Sequence, residues 1–165
     1  VWRNNLSYSF ITAHSDKNGT LRDPPFNELF LLGGPYSLRG YRFFRGGKQR
    51  FSKYLFNNAD NTKYPTVADK ERYATRPYGG TQQGLYQMEF EFPLIAEAGI
   101  KCVAFYDAGI AEDELYDTDI YSDIGFGFRW FSPIGPLRFE WGFPMKKIES
   151  SPDSVVFEFS IGAPF

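Results

Sequence analysis

One arginine and several carboxylates are the residues of this chain whose types and spacing could do chemistry. Arg39 is followed by Gly40, and Gly33-Gly34 lie upstream, so the chain around the arginine can turn tightly and approach another surface closely. A guanidinium is a planar fork that pairs with carboxylates through two hydrogen bonds. The charged residues that could face it or balance one another are Glu89, Glu91, Asp107, Glu140, Arg129 and Arg138. The pattern indicates ion pairing.

Paired carboxylates could also hydrolyse glycosides, and Glu89 and Glu91 are such a pair. Their i, i+2 spacing on a strand places both on one wall, which favours structural charges over a glycosidase. The sequence shows no phosphate-binding loop and no metal-ligand cluster. The single His14 excludes a His-rich metal site, and the single Cys102 excludes an internal disulfide. We therefore expect no enzymatic activity, no metal and no cofactor.

The composition separates several classes of protein. Net charge is −2, so nothing in the charge favours nucleic-acid binding. Aromatic residues make up 19% of the chain, yet the mean hydropathy is −0.39. No stretch approaches the ~20 apolar residues that a transmembrane helix needs. This combination is typical of a membrane β-barrel, in which every second residue of a strand faces the lumen.

Six segments alternate apolar and polar side chains with the period of two that a strand has. In most of them every charge lies on the face opposite the large apolar side chains. An Arg or Lys facing lipid at mid-bilayer costs about 2–4 kcal/mol, so a membrane would enforce this separation. The predicted strands are 4–13, 84–92, 100–111, 119–131, 136–144 and 155–165.

Strand and connection lengths favour the same fold. The predicted strands have about 9–13 residues, longer than the usual 5–6 of globular sheets and close to the 9–11 of membrane strands. Connections near 94–99 and 132–135 are short, whereas those near 112–118 and 146–152 are longer. We predict an all-β, antiparallel transmembrane β-barrel. A soluble, carbohydrate-binding β-sandwich alternates in the same way and stays open as an alternative.

The C-terminal segment has a continuous apolar face that ends on an aromatic residue. Phe157, Phe159, Ile161 and Phe165 share this face, and Gly162 lies on the other. Termini of soluble domains tend to fray, whereas outer-membrane barrels carry an outward apolar band edged by aromatics. The segment therefore supports the membrane barrel.

A long loop, about 14–82, separates the first two strands, and its length suggests that it folds back on the barrel. Residues 32–41 (LGGPYSLRGY) resemble the GG…[VL]RG[FY] motif of the outer-membrane assembly and translocation superfamily, which includes BamA-like factors, TamA and two-partner secretion transporters. Residues 128–139 resemble its W-x-SP-x-GPL hairpin, and the last strand resembles its β-signal. The motif residues are Gly33, Gly34, Leu38, Arg39, Gly40 and Tyr41.

The resemblance implies the role of this chain within a larger protein. Barrels of the family have about sixteen strands and follow periplasmic POTRA domains. We expect 1–165 to hold about the last six strands and the long loop, so both edges must meet missing strands or a second copy. The resemblance also implies that the loop enters the lumen and that Arg39 pairs with Glu89 and Asp107.

The resemblance further implies a function without enzymatic chemistry. BamA-like factors fold and insert β-barrel proteins into the outer membrane of Gram-negative bacteria through a lateral seam. The client's C-terminal strand pairs there by β-augmentation, and 155–165 would be one lip of the seam. Expected partners are unfolded clients, the lipid bilayer and, through the upstream region, accessory lipoproteins. A TamA-like or two-partner-secretion translocation pore is the alternative within the family.

Overall fold

A computed structural model describes residues 1–12, 24–114, 119–133, 135–148 and 153–162. Six of its strands form one antiparallel sheet in the order β1-β4-β5-β6-β7-β8. The sheet is open, as expected for part of a larger barrel. In chain order the strands and helices are β1 (Trp2–Phe10), a 3-10 turn (Phe26–Glu28), β2 (Gln49–Phe51), α1 (Lys53–Asn57), α2 (Val67–Ala74), β3 (Thr75–Pro77), β4 (Gln82–Ile95), β5 (Ile100–Glu112), β6 (Tyr121–Ser132), β7 (Gly135–Pro144) and β8 (Val156–Ile161).

The six predicted strands are confirmed, but several of their boundaries were wrong. The first begins at Trp2 rather than residue 4, because β4 extends far enough for Trp2 to pair with Phe90. Within the described residues the last strand ends at Ile161, since Gly162 has a φ of 74° and leaves the extended conformation. Predicted strand residues 13 and 163–165, including Phe165, lie outside the described residues.

One face of the sheet is apolar from strand to strand. The register aligns Phe90, Ala104, Phe126, Trp141 and Phe157 in a single row that crosses β4 to β8. Phe126 is 44% exposed and Phe157 52% exposed, so the rest of the described chain, including the small β2–β3 sheet, leaves this face open. This arrangement contradicts the soluble β-sandwich, whose inner faces would bury such a row.

The opposite face carries charged side chains and glycines. Gly125 and Gly142 are cross-strand neighbours at the centre of this face. A Cβ on Gly142 would overlap the backbone of Arg39 and Gly40, and one on Gly125 would overlap the ring of Phe105. Gly142 therefore leaves room for the long loop to lie directly against the sheet, and Gly125 leaves room for the ring of Phe105.

The long loop contains regular structure that the strand pattern did not predict. It holds the two short strands β2 and β3 and the helices α1 and α2. Ser52 caps α1 by accepting a hydrogen bond from the amide of Leu55, and Thr66 and Asp69 form a capping box at α2. No helix among the described residues is long and apolar enough to cross a membrane.

A small apolar core joins the loop to the sheet. Its buried members come from the loop, from β5 and β6, and from the segment after β7. They are Leu32, Leu38, Tyr41, Ala111, Tyr121 and Ile148. Burying these side chains fixes the loop over one end of the sheet, and this position determines where its arginine lies.

Candidate functional site

Residues 32–41, named here the glycine-arginine motif, form a compact turn. Gly33 and Gly34 have φ values of 111° and 100°, a region that residues with a Cβ rarely adopt. The amide of Gly34 donates to the carbonyl oxygens of Leu38 at 3.1 Å and Tyr41 at 2.9 Å. The two glycines thus close the turn and hold Arg39 at its tip.

Two apolar side chains anchor this turn on either side of Arg39. Leu38 is fully buried in the core, and Tyr41 packs edge to face on Tyr121 at 5.9 Å between ring centroids. The Tyr41 hydroxyl donates to the carbonyl oxygens of Lys146 at 2.8 Å and Ser122 at 3.2 Å. Burial raises the pKa of Tyr41 to about 12, so the hydroxyl keeps its proton at neutral pH.

Arg39 makes a bidentate ion pair with Asp107 on β5. Its Nε donates to Oδ2 and its Nη2 to Oδ1, both at 2.7 Å, and its own amide donates to Oδ2 at 3.3 Å. The guanidinium carbon lies 3.7 Å from the ring centroid of Phe105. Arg39 is 2% exposed and Asp107 is fully buried, so this pair is shielded from water.

Carboxylates on β4 and β7 surround the same guanidinium. Arg39 Nη1 lies 2.5 Å from Glu89 Oε1 and 3.6 Å from Glu140 Oε2. Burial lowers the pKa of Arg39, but hydrogen bonding and attraction from Asp107, followed by attraction from Glu140 and Glu89, outweigh it. The net shift is upward, and the arginine remains charged. The structure thus brings Arg39 together with both acids that the resemblance implied.

Arg129 on β6 forms the second centre of the charged cluster. Its guanidinium lies 2.7 Å from Glu89, 3.1 Å from Glu140 and 3.2 Å from Glu91. Because Glu89 and Glu140 also lie within 4 Å of Arg39, the two arginines share carboxylates. The contacts connect side chains of β4, β6 and β7 and, through Arg39, β5.

The remaining predicted charges lie at the margin of this cluster. Arg138 Nη2 lies 2.8 Å from Glu140 Oε2 and also donates to the carbonyl oxygen of Pro35 at 3.0 Å, which ties β7 to the motif. Lys101 and Arg3, which were not singled out from the sequence, pair with Glu91 at 2.8 Å and 3.1 Å. Every wall charge named from the sequence therefore belongs to one connected network.

Sequence reasoning missed Asp123 as a site residue. Asp123 is fully buried on β6, directly opposite Asp107 in the sheet register, and a Cβ on Gly40 would overlap its side chain. Its position on the polar face of β6 was a usable signal. Its proximity to the motif was not, because that depends on strand register and on the path of the loop.

The C-terminal residues named from the sequence lie apart from the charged network. Phe159 and Ile161, like Phe157, are about half exposed on the apolar face of β8. Gly162 follows the strand, and its amide donates to the carbonyl oxygen of Pro136 at 2.8 Å. The sequence therefore contributes two separate features, a charged network beneath the loop and an apolar edge strand.

The arrangement is suited to holding a loop in place. No cluster of three or more possible metal-ligating side chains occurs in the described parts of the chain. Salt bridges with this burial and this number of partners restrict the loop and four strands to one arrangement, because moving one member leaves a charge unpaired in a water-poor site.

Two BamA proteins are similar to this chain over most of its length. BamA, an outer membrane protein assembly factor of Nitratidesulfovibrio vulgaris, is 30% identical over 146 residues, which are 85% of this chain and 16% of that protein. BamA of Neisseria meningitidis serogroup B is 24% identical over 180 residues, covering 89% of this chain and 20% of that protein. The chain thus spans a fifth or less of the length of these relatives.

A solved structure and a family model indicate the same relationship as these two proteins. The crystal structure of BamA from Haemophilus ducreyi lacking POTRA domains 1-3 matches with a TM-score of 0.60 at 19% identity. The match covers 96% of this chain and 33% of that chain, so the six-stranded sheet has the fold of part of that barrel. The Omp85 superfamily domain matches residues 3–165. The chain belongs to the Omp85 superfamily.

Proposed function

We propose that this chain is the C-terminal part of a factor that folds β-barrel proteins and inserts them into the outer membrane of a Gram-negative bacterium. The similarity to two BamA proteins described as outer membrane protein assembly factors supports this proposal. The apolar outward face of the sheet is suited to contact with the hydrocarbon of that membrane.

The observation that carries the proposal is the contrast between a braced wall and a loosely held edge. Ion pairs of Arg39 and Arg129 connect β4, β5, β6 and β7. Among the described residues, none of the ion pairs named above involves a residue of β8. β8 has 6 residues, whereas β7 beside it has 10 and β6 beyond it has 12.

This contrast suggests how a client strand could be received. Hydrogen bonds contribute about 0.5–1.5 kcal/mol each, so a short ladder between β7 and β8 is weaker than the longer ladders beside it. An edge strand presents unpaired amides and carbonyls that can pair with another strand. β8 would offer this edge to the C-terminal strand of a client while the network keeps the remaining wall in register.

The proposed activity is non-enzymatic and uses no cofactor, nucleotide or ion gradient. Burial of the client's apolar surface in lipid and completion of its strand pairing would supply the driving force. Unfolded barrel proteins and lipid are the proposed partners, together with accessory lipoproteins that bind upstream of this chain. Pairing of the sheet edges with a second copy is a further proposed state.

Disulfide trapping at the edge strand tests this function. In the full-length protein carrying Cys102→Ala, we expect Ile161→Cys to cross-link a client that carries a single cysteine in its C-terminal strand. Ile124→Cys is the matched control, because Ile161 and Ile124 are 57% and 49% exposed but Ile124 lies within the sheet. Equal trapping at both positions, or trapping at neither, would contradict pairing at β8.

A further inference from the structure

Two arginines face each other across the short sheet in the long loop. Arg50 on β2 and Arg76 on β3 are directly paired in the antiparallel register. Side chains at such positions point to the same side, with Cβ atoms about 5 Å apart, and like charges there are destabilising. No carboxylate or other hydrogen-bond acceptor among the described residues pairs with either guanidinium. The pair therefore concentrates positive charge without an anion to balance it in this part of the chain.

Tyrosine rings hold both guanidinium groups in place. The guanidinium carbon of Arg50 lies 4.9 Å from the ring centroid of Tyr78, and that of Arg76 lies 4.8 Å from the ring centroid of Tyr73. Tyr73 is itself stacked on Tyr64 at 4.4 Å. Stacking engages the flat face of a guanidinium and leaves its N–H groups available at the rim. Each donor fork is thus held in place before any ligand arrives, which lowers the entropy cost of binding.

A cavity lies in front of the two arginines. Its volume is about 470 Å³, which is the size of a small-ligand site. Arg50, Arg76 and Ser52 supply polar groups to its lining. The remaining lining residues are Pro77 and three aromatic residues, Phe26, Phe51 and Tyr78. Phe26 and Phe51 are at least half exposed, so the aromatic lining opens outwards. This lining fits a ligand that has an anionic group beside an apolar or saccharide portion.

The cavity belongs to the end of the sheet that carries the long connections. The loop leaves β1 and returns to β4 at this end, and Lys48, just before β2, donates its amide to the carbonyl oxygen of Ala111 near the end of β5. In outer-membrane barrels the longer loops are extracellular. The arginine pair therefore lies on the side where the phosphorylated lipids of the outer leaflet present their headgroups.

We propose that Arg50 and Arg76 form a binding site for a phosphoryl group. A phosphoryl group offers three acceptor oxygens, which match two neighbouring arginine forks better than one carboxylate would. The group could belong to a phosphorylated lipid headgroup or to free phosphate. Either ligand would neutralise the arginine pair, and a lipid headgroup would also tie the β2–β3 sheet to the membrane surface.

Calorimetric titration of the full-length protein in detergent tests the site with two probes, inorganic phosphate and diphosphoryl lipid A. We expect wild type to bind at least one probe. Arg50→Ala/Arg76→Ala should weaken that binding by at least about tenfold, since charge-assisted hydrogen bonds are lost on both sides of the phosphoryl group. Lys53→Ala/Lys63→Ala is the control, because it removes the same charge from exposed positions of the same loop.

The outcomes separate the sources of phosphate and can overturn the site. Arginine-dependent binding of lipid A alone identifies a lipid headgroup, and arginine-dependent binding of inorganic phosphate identifies a site for the free ion. The site is disproved if wild type binds neither probe, or binds only an acidic peptide offered in parallel. It is also disproved if the lysine control loses as much affinity. Arg50→Lys/Arg76→Lys keeps the charge but removes the guanidinium forks. Binding as tight as that of wild type would show that positive charge alone attracts the phosphate, and it would disprove a site built from the two forks.

Discussion

At the scale of single residues, Arg39 is the centre of the structure. It is 2% exposed and lies between carboxylates contributed by three strands, with a bidentate bond to Asp107. Such a pair adds little net stability over an apolar contact, but breaking it leaves charges buried without compensation. The arginine therefore determines where the long loop rests more than it determines how stable the sheet is.

This burial predicts a large effect of Arg39→Ala. We expect a loss of about 3–5 kcal/mol in the free energy of unfolding, because Asp107 would remain buried without its partner, whereas Glu89 would keep Arg129. Urea unfolding of the full-length protein in detergent measures it. Arg42→Ala is the control: the Arg42 side chain is 67% exposed and pairs with Asp153 at 2.8 Å, a contact expected to contribute at most about 1 kcal/mol. Equal losses would contradict the buried-network account.

The raised pKa of Tyr41 predicts that the free energy of unfolding decreases at alkaline pH. Burial raises its pKa from 10.0 to about 12, so the folded state holds the phenolic proton more tightly than the unfolded state. The resulting stability is fully present below pH 10 and is lost as pH rises towards 12. Across this interval, the free energy of unfolding of Tyr41→Phe should change less with pH than that of wild type. Tyr54→Phe, which changes an exposed ring, should follow wild type; a shallower slope there would contradict the assignment.

At the scale of elements, the glycines of the charged face decide how closely the loop approaches the sheet. A Cβ at position 142 would overlap the backbone of Arg39, whereas a Cβ at position 84 would meet only a methyl of Ile110 at 3.2 Å. The contacts at Gly142 favour loop packing.

This difference predicts that Gly142→Ala displaces the loop. We expect a loss of about 1–3 kcal/mol, the usual range for overpacking a tight contact, and a smaller loss for Gly84→Ala. Chemical denaturation of both variants in the full-length protein measures the two losses. If Gly84→Ala proves the more damaging, the close approach of loop and wall is wrong.

The face of the sheet on which each strand residue lies could be predicted from the sequence, because the alternation along a strand is a local property. Charges alternate with large apolar residues in β4, β6 and β7, and the lipid would enforce this pattern in each strand independently. The partners of Arg129 could not be predicted, because they depend on the register of strands that are far apart in sequence. α2 was not predicted although Thr66 and Asp69 have capping-box spacing, because the period-two pattern that reveals strands carries no information about a short helix inside a loop.

At the scale of the whole molecule, the charged network and the edge strand β8 have different proposed roles. Four strands are connected by buried ion pairs, and β8 lies beside them as a short, apolar edge. A wall that keeps its register can support an edge that exchanges partners, which is what receiving a client strand requires. Under the proposed function, outer-membrane protein assembly depends on Arg39 even though this residue is distant in sequence from β8.

The most direct test of this claim is made in the source organism. The full-length protein would be depleted and replaced by wild type, Arg39→Ala or the control Arg42→Ala, and unrelated outer-membrane barrels would be quantified by mass spectrometry. We expect a broad fall in these barrels that wild type and Arg42→Ala restore and Arg39→Ala restores poorly. Loss of a single secreted protein, with the other barrels unchanged, would contradict the account and identify a dedicated translocation pore.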